Sequence, residues 1–309
     1  MISSMSEIKV LYIAGVGRSG STLIGNILGQ QDGFFNAGEL HWIWQRGFMD
    51  NELCGCNTPF RECTVWQEIL GSEINDLDEM NLLTLINEWK NSTRSRKLLE
   101  YLLLSNQKMT PSHKKYLNAL QHLYHAIHES THCRVIVDTS KSPTYGHLIS
   151  ILPGVRLYVL HLVRDLRGVV FSLQRSRIRP EDNNPMIKMK TCESSALWLL
   201  WNSAIEFRWN RGDKSDRYLR MGYEDFIVNP KHNIERIFYF IDENLQPRKI
   251  GKNQVEIGPT HTISGNPGRF KRGLIDLQLD LDWKANMRFR DRILSLLIAW
   301  PLLLRYGYL

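Results

Sequence analysis

Along the chain, short runs of apolar, β-forming residues alternate with stretches in which apolar residues recur three and four positions apart. Lys9–Ala14 (KVLYIA), closed by Gly15, predicts a buried strand. After a loop rich in Gly and Ser, Thr22–Gln30 places Leu23, Ile24, Ile27 and Leu28 at helical spacing. Arg134–Val137 (RVIV), closed by Asp138, and Leu157–Val163 (LYVLHLV) predict two more buried strands, and Tyr218–Met221 a fourth. A helix is expected from Asp165, a long amphipathic one over Ser194–Arg211 with Trp198, Trp201 and Trp209, and another over His232–Ile241 opened by Pro230. Between about residues 66 and 130 the pattern is mostly helical, with polar breaks at Asn91–Ser95 and near Pro111. Strands alternating with helices imply a parallel sheet covered on both faces. The expectation is an α/β three-layer fold with a central parallel sheet, one domain over residues 1–309 that carries a helical insertion at about 66–130. No internal repeat, low-complexity tract or linker divides it.

Composition narrows the partners. Of 309 residues, 43% are hydrophobic and 23% charged, which excludes a disordered or collagen-like chain. Lys and Arg number 39 against 32 Asp and Glu, a formal charge of +7, so anionic partners are favoured: nucleic acid, acidic membranes or polyphosphorylated small molecules. The basic residues are scattered rather than gathered in a tail, which argues against nucleic acid. Five cysteines, an odd number, do not suit a secreted disulfide scaffold. Met1–Lys9 has no apolar stretch before its first acidic residue and reads as no secretory signal. The longest apolar run, Ile293–Leu304, contains Pro301 and falls short of the ~20 residues of a bilayer span, so it reads as a buried helix and its continuation. A soluble, cytoplasmic protein with no integral membrane span is expected; oligomeric state is left open.

The chemistry begins at Gly15-Val16-Gly17-Arg18-Ser19-Gly20-Ser21-Thr22, between the first strand and its helix. Glycines there let the backbone wrap an anion, and N–H groups at the helix start supply hydrogen bonds and partial positive charge. Arg18 adds a fixed charge, and Ser19, Ser21 and Thr22 add hydroxyls, making the fold P-loop-like. A loop that binds a nucleoside triphosphate with magnesium ends in Gly-Lys-Ser/Thr. Here Gly20 is followed by Ser21, and the one acid at a strand end that suits a magnesium ligand is Asp138. A nucleotide whose chemistry needs no metal fits better.

This loop resembles the 5′-phosphosulfate loop of sulfotransferases that use 3′-phosphoadenosine 5′-phosphosulfate (PAPS). Its arginine form is similar to the branch containing tyrosylprotein sulfotransferases and many bacterial relatives. Leu162-Val163-Arg164-Asp165, with Ser172 eight residues after Arg164, is similar to that family's 3′-phosphate segment. Gly265–Gly273 (GNPGRFKRG), with Trp283-Lys284 ten residues further on, looks like the basic lid over the 3′-phosphate and adenine. The resemblance covers roughly residues 8–290 and is weakest through the insertion. It implies cofactor contacts from Gly17, Arg18, Ser19, Gly20, Ser21, Thr22, Arg164, Ser172, Phe270, Lys271, Arg272 and Gly273. Tyr223-Glu224-Asp225-Phe226 with Pro230 matches a further signature, which puts Tyr223 among the cofactor residues; read on its own, Tyr223 simply packs and Glu224 or Asp225 starts a helix.

Sulfuryl transfer needs the acceptor activated, charge on the bridging oxygen neutralised, and the two groups held in line. Gly38-Glu39 resembles the Gly-Glu of the tyrosylprotein branch, which implies Glu39 as the catalytic base. Lys141, in Asp138-Thr139-Ser140-Lys141-Ser142-Pro143 at a strand's carboxyl end, matches the family lysine on the transferring group, with Arg18 beside it. His41 is the rival base; beside Trp42 and Trp44 it reads better as part of an aromatic wall. Cys54, Cys56 and Cys63 invite a zinc reading with His41 as fourth ligand, but no Cys-x-x-Cys pair is present, so free, partly buried thiols and no metal are expected. The acceptor is expected to be a small molecule, lipid or saccharide, with Phe34, Phe35, Trp42 and Trp44 hinting at an aromatic pocket. Two rival readings stand beside the transferase: a P-loop kinase or NTPase, and a non-catalytic nucleotide- or nucleic-acid-binding protein.

Overall fold

The computed structural model describes residues 7–71, 79–94, 97–98, 100, 111–176, 178, 185–186 and 188–309. Five strands form one parallel sheet: β1 (Ile8–Gly15), β2 (Phe34–Gly38), β3 (Val135–Lys141), β4 (Val155–Val163) and β5 (Tyr218–Gly222), in the order β2-β3-β1-β4-β5. β1 is central: the chain leaves it for one edge and later crosses to the other side. Ligand crevices open at such a switch point, at the carboxyl ends of the strands.

Alternation along the strands explains the layers. Val10, Tyr12 and Ala14 of β1, with Ile136 and Val159, bury one face of the sheet. Against it pack α4 (Pro111–Thr131) through Tyr116, Leu120, Tyr124 and Ile127, α5 (Pro143–Ile149) through Tyr145 and Leu148, and α7 (Thr191–Trp209) through Ile205 and Trp209. The intervening Leu11 and Ile13, with Val137 and Leu160, bury the opposite face under α1 (Ser21–Leu28), α8 (Tyr223–Val228) and α9 (Pro230–Phe240). A third cluster joins α6 (Leu166–Gln174), α7, α10 (Asp282–Asn286) and α11 (Phe289–Arg305) around Trp198 and Trp283. The expected α/β sandwich with a central parallel sheet is what forms.

Four strands fall where the apolar runs predict them, and β2 adds a fifth. The helical insertion lies between β2 and β3. A 3-10 turn at Leu40–Trp42 runs into a π-helical segment at Ile43–Met49, and then come α2 (Thr64–Leu70), α3 (Glu79–Thr93) and α4. Asp165 caps α6, its Oδ1 accepting from the Arg167 amide at 2.9 Å. A small antiparallel pair, β6 (Gln254–Ile257) with β7 (Gly273–Asp276), brackets residues 258–272. The C-terminal apolar run forms one helix through Pro301 rather than a broken one. It buries Ser295, Ala299, Leu302 and Leu303 but leaves Leu297, Trp300 and Leu304 exposed, so it is a surface helix. No helix among the described residues is long and apolar enough to cross a membrane.

Candidate active site

A cavity of about 610 Å³ opens at the carboxyl ends of β1, β2, β3 and β4. Gly17, Arg18, Gly20, Ser21 and Thr22 form one wall, Glu39 and Lys141 another, and Arg164, Ser172 and Tyr223 a third. Lys271 closes over them with Ser264, Gly265 and Asn266. Eleven of the residues singled out from the sequence therefore meet around one space. Four do not line it. Ser19 is buried beneath the loop, and Phe270 lies under the Arg269 guanidinium, 4.3 Å from ring centre to Cζ. Arg272 turns away to donate to the carbonyl of Gly55, and Gly273 opens β7. Trp283 is likewise outside, packed on α6 and flanked by Arg167.

The glycine loop is shaped by what crowds it. Gly20 adopts φ +93, and a Cβ there would sit 2.4 Å from the Tyr223 ring. Tyr223 in turn lies under the Arg164 guanidinium, 4.8 Å from its centroid. Arg164 is buried; it donates to the carbonyl of Arg18 at 3.0 Å and pairs with Asp280 at 3.1 Å. One guanidinium thus ties the glycine loop to the segment after β7. The ion pair and the carbonyls of Arg18 and Asp280 satisfy the buried cation, whose side chain also lines the cavity.

Glu39 and Lys141 come from neighbouring strands. Glu39 follows β2 and Lys141 ends β3, and their side chains form an ion pair of 2.6 Å, each 13% exposed, at the cavity wall. The turn that presents Glu39 depends on Gly38, whose φ is +78. A Cβ there would stand 2.6 Å from the Ile263 carbonyl, which accepts the Glu39 amide at 2.8 Å. Burial pushes the Glu39 carboxyl up, but the nearby Lys141, with lesser help from Arg46, outweighs it and holds the acid below its ordinary value. Arg18 and Lys141 both have left-handed backbones, φ 72 and 67, uncommon for residues with a Cβ. Such conformations gather where surrounding structure over-determines a site.

His41 is placed differently from Glu39. Its ring stands among Trp42, Trp89 and Tyr145, with centroids 5.1 to 5.8 Å away, and burial drives its pKa down to about 3. It is a neutral wall residue. None of the four aromatic residues expected to form a pocket lines this cavity: Trp42 packs under Arg46 and against Trp89, Phe35 meets Trp66 edge-on, Trp44 stacks on Phe48 in the core, and Phe34 packs on Phe238 at the sheet's other face. Asp138 does not face the cavity. Fully buried, it accepts from the Tyr124 hydroxyl at 2.6 Å and the Ser140 amide at 2.8 Å, and burial lifts its pKa to about 6. An acid committed in this way is no magnesium ligand.

The sequence reading missed Arg46. It lies on the π-helical segment, donates to Ser264 Oγ at 2.7 Å and faces the cavity. Its position seven residues after Glu39 means nothing without that unusual helix. Asp280, the partner of Arg164, was missed because the two meet across 116 residues of sequence, a contact that tertiary structure alone makes. The His41–cysteine cluster considered above does not form; His261, not His41, stands beside the three thiols.

A family model described as the sulfotransferase family matches residues 11–247, from β1 to beyond α9. Among solved structures, the sulfotransferase domain from the Synechococcus PCC 7002 olefin synthase is 18% identical, with a TM-score of 0.50 over 96% of each chain. The sulfotransferase domain from the curacin biosynthetic pathway is 15% identical, with a TM-score of 0.47 over 95% of this chain and 97% of that one. At such identities the likeness to the first is one of fold. No curated protein sequence matches the chain. With the family model spanning the sheet and the glycine loop together, the chain belongs to the sulfotransferase family.

Proposed function

We propose that the chain transfers a sulfuryl group from PAPS to a hydroxyl (or amine) of a small-molecule, lipid or saccharide acceptor, in a single cytoplasmic domain and without a metal in the transfer step. Glu39 is the general base, and Lys141 and Arg18 stabilise the transferring group. The observation that carries this reading is the Glu39–Lys141 pair opening onto the same cavity as the glycine loop.

PAPS supplies a sulfur bonded through a bridging oxygen to the 5′-phosphate. As the acceptor oxygen bonds to sulfur, its proton passes to a Glu39 oxygen, and the bridging S–O bond breaks to release PAP. Lys141 is the cation nearest Glu39 and the one suited to meet charge growing on the bridging oxygen. When Lys141 turns toward that oxygen its hold on Glu39 weakens, so the carboxylate becomes a stronger base as the acceptor proton leaves. Loop amides at the start of α1, with Arg18, suit the 5′-phosphosulfate. Arg164, just past β4, and Ser172, within α6, suit a 3′-phosphate, with Tyr223 and Lys271 lining the same cavity. Ser19, Phe270, Arg272 and Gly273 would act by shaping the loop and lid rather than by lining the cavity.

The test is thermal stabilisation by PAP, ADP and AMP. Ligand at 100 times Kd adds about 2.7 kcal/mol of stability. PAP is expected to stabilise far more than ADP, and Arg164→Ala to erase the difference; equal shifts from PAP and ADP would remove the 3′-phosphate assignment. Sulfate transfer from PAPS to a metabolite extract then identifies the acceptor.

A further inference from the structure

Three cysteines and a histidine that the transfer chemistry does not use converge behind the strap formed by residues 258–272. Cys54 and Cys56 flank Gly55 in a tight turn, in which the Cys54 amide donates to the Thr58 carbonyl at 2.7 Å and the Asn57 amide to the Cys54 carbonyl at 2.8 Å. Cys63 stands at the start of α2. His261 arrives from the strap, 198 residues later. The ligand atoms of all four lie within 4.8 Å of one another, two of the residues buried and two half-buried.

The spacings discriminate between chemistries. Cys56 Sγ and Cys63 Sγ are 3.6 Å apart, and Cys63 Sγ is 3.3 Å from His261 Nδ1. A disulfide requires ~2.05 Å between sulfurs. Tetrahedral zinc, with Zn–S of ~2.3 Å and Zn–N of ~2.0–2.1 Å, sets neighbouring sulfurs ~3.8 Å apart and sulfur and nitrogen ~3.6 Å apart. The observed separations are close to the second pattern and far from the first.

The surroundings match a bound, net-negative centre. Three thiolates, a neutral imidazole and Zn²⁺ carry one negative charge. Two guanidinium groups grip the cysteine turn: Arg269 donates to the Leu53 carbonyl at 2.7 Å and the Thr262 carbonyl at 2.9 Å, and Arg272 donates to Gly55. The Trp66 indole N–H donates to the His261 carbonyl at 2.8 Å and fixes the backbone that presents the imidazole. Outer contacts of this kind orient metal ligands.

We propose that Cys54, Cys56, Cys63 and His261 form a closed, tetrahedral zinc site with a structural role. Four protein ligands leave no position for water, so the ion takes no part in turnover. It cross-links the turn after the π-helical segment, which carries Arg46, to the strap that supplies Ser264, Asn266 and Lys271 to the cavity. The site is independent of the transfer reaction proposed above, because metal content is measured without donor or acceptor.

The experiment is elemental analysis of the reduced, full-length protein, followed by release of its metal with a thiol-blocking mercurial and a colorimetric zinc indicator. One zinc per chain is expected, retained through dialysis and freed as the thiols are blocked. Cobalt substituted into the same protein is expected to give thiolate-to-metal charge-transfer bands and the intense visible bands of tetrahedral coordination. Cys133→Ser and Cys192→Ser should keep the metal, and Cys63→Ser should lose it. If Cys63→Ser fails to fold, the cobalt spectrum of the unaltered protein decides. Zinc well below one per chain after growth with added zinc, joined to a cobalt spectrum without thiolate bands, overturns the proposal. So does a Cys56–Cys63 disulfide found in protein kept under reducing conditions.

Discussion

Replacing Lys141 by Met tests the Glu39–Lys141 pair without reference to catalysis. Met keeps most of the stem and the same backbone demand at φ 67, but it leaves Glu39 without its closest cation. Breaking a buried pair by removing one partner costs about 3–5 kcal/mol. With 13% exposure at a cavity wall, and Arg46 still nearby, the lower figure applies. At ~2.1 cal/mol/K of unfolding entropy per residue, a 309-residue chain loses about 5 °C in Tm for about 3 kcal/mol. The pH dependence carries the argument. In the unaltered protein Glu39 is held below its ordinary 4.5, so the pair's stabilisation is present above that value and is lost as pH falls through the folded pKa. Without Lys141, burial dominates and the folded pKa rises above 4.5; the variant is then most stable when Glu39 is protonated and weakens as pH rises through that raised value. The Tm gap should therefore be widest near neutrality and close toward pH 4.5. Glu39→Gln/Lys141→Met, which removes both charges, should regain most of the loss. Differential scanning calorimetry across pH measures all three proteins. A gap that stays constant between about pH 5 and about pH 7.5, or a double variant as unstable as the two losses combined, would refute the reasoning.

Glu39→Gln should lower kcat about 10²–10⁴-fold while leaving PAP affinity flat by calorimetry, since a base acts only as the proton leaves. His41→Gln should retain activity, and the pH–rate profile should show no step from His41, whose imidazole stays neutral above about 3. Gly20→Ala drives a Cβ into the Tyr223 ring at a left-handed φ, so PAP affinity should fall about tenfold or more, about 1.4 kcal/mol, measurable by fluorescence titration. Transfer rates should be the same with and without added magnesium, because Arg18, Lys141 and the loop amides provide the positive field; a strict requirement would return the reading to a kinase.

Much of this was legible in the sequence because β1, β3 and β4 are buried on both faces and so read as unbroken apolar runs. Gly17, Arg18, Lys141 and Arg164 stand at or just past the ends of those runs, whereas Glu39 and Ser172 were legible only through the resemblance of their segments to the family's. β2 was not seen. Phe34–Gly38 is a five-residue strand at the edge of the sheet, preceded by Gly33, paired with β3 and bridged at its end by Ile263, so neither length nor alternation marks it. The β6–β7 pair is invisible for another reason: its strands of four residues close across residues 258–272. That closure brings His261 to the cysteines and Asp280 to Arg164, contacts that only tertiary structure makes. The π-helical segment turns Arg46 toward the cavity against any 3.6-residue periodicity.

The insertion leaves the sheet just after β2 and re-enters at β3, its immediate neighbour, so its size is unconstrained by strand register. Doubling the length of such an excursion costs only about 0.6 kcal/mol in loop-closure entropy. Trp42, Arg46 and Trp89 all belong to it, whereas the glycine loop, Arg164 and Tyr223 belong to the sheet and the helices that follow it. Glu39 is the first residue after β2, where the insertion begins, and Lys141 ends β3, the strand to which it returns. A lineage can therefore rewrite the wall around Arg46, by substitution or by whole added helices, while inheriting the glycine-loop half unchanged. The boundary for grafting one specificity onto another runs between Glu39 and Val135.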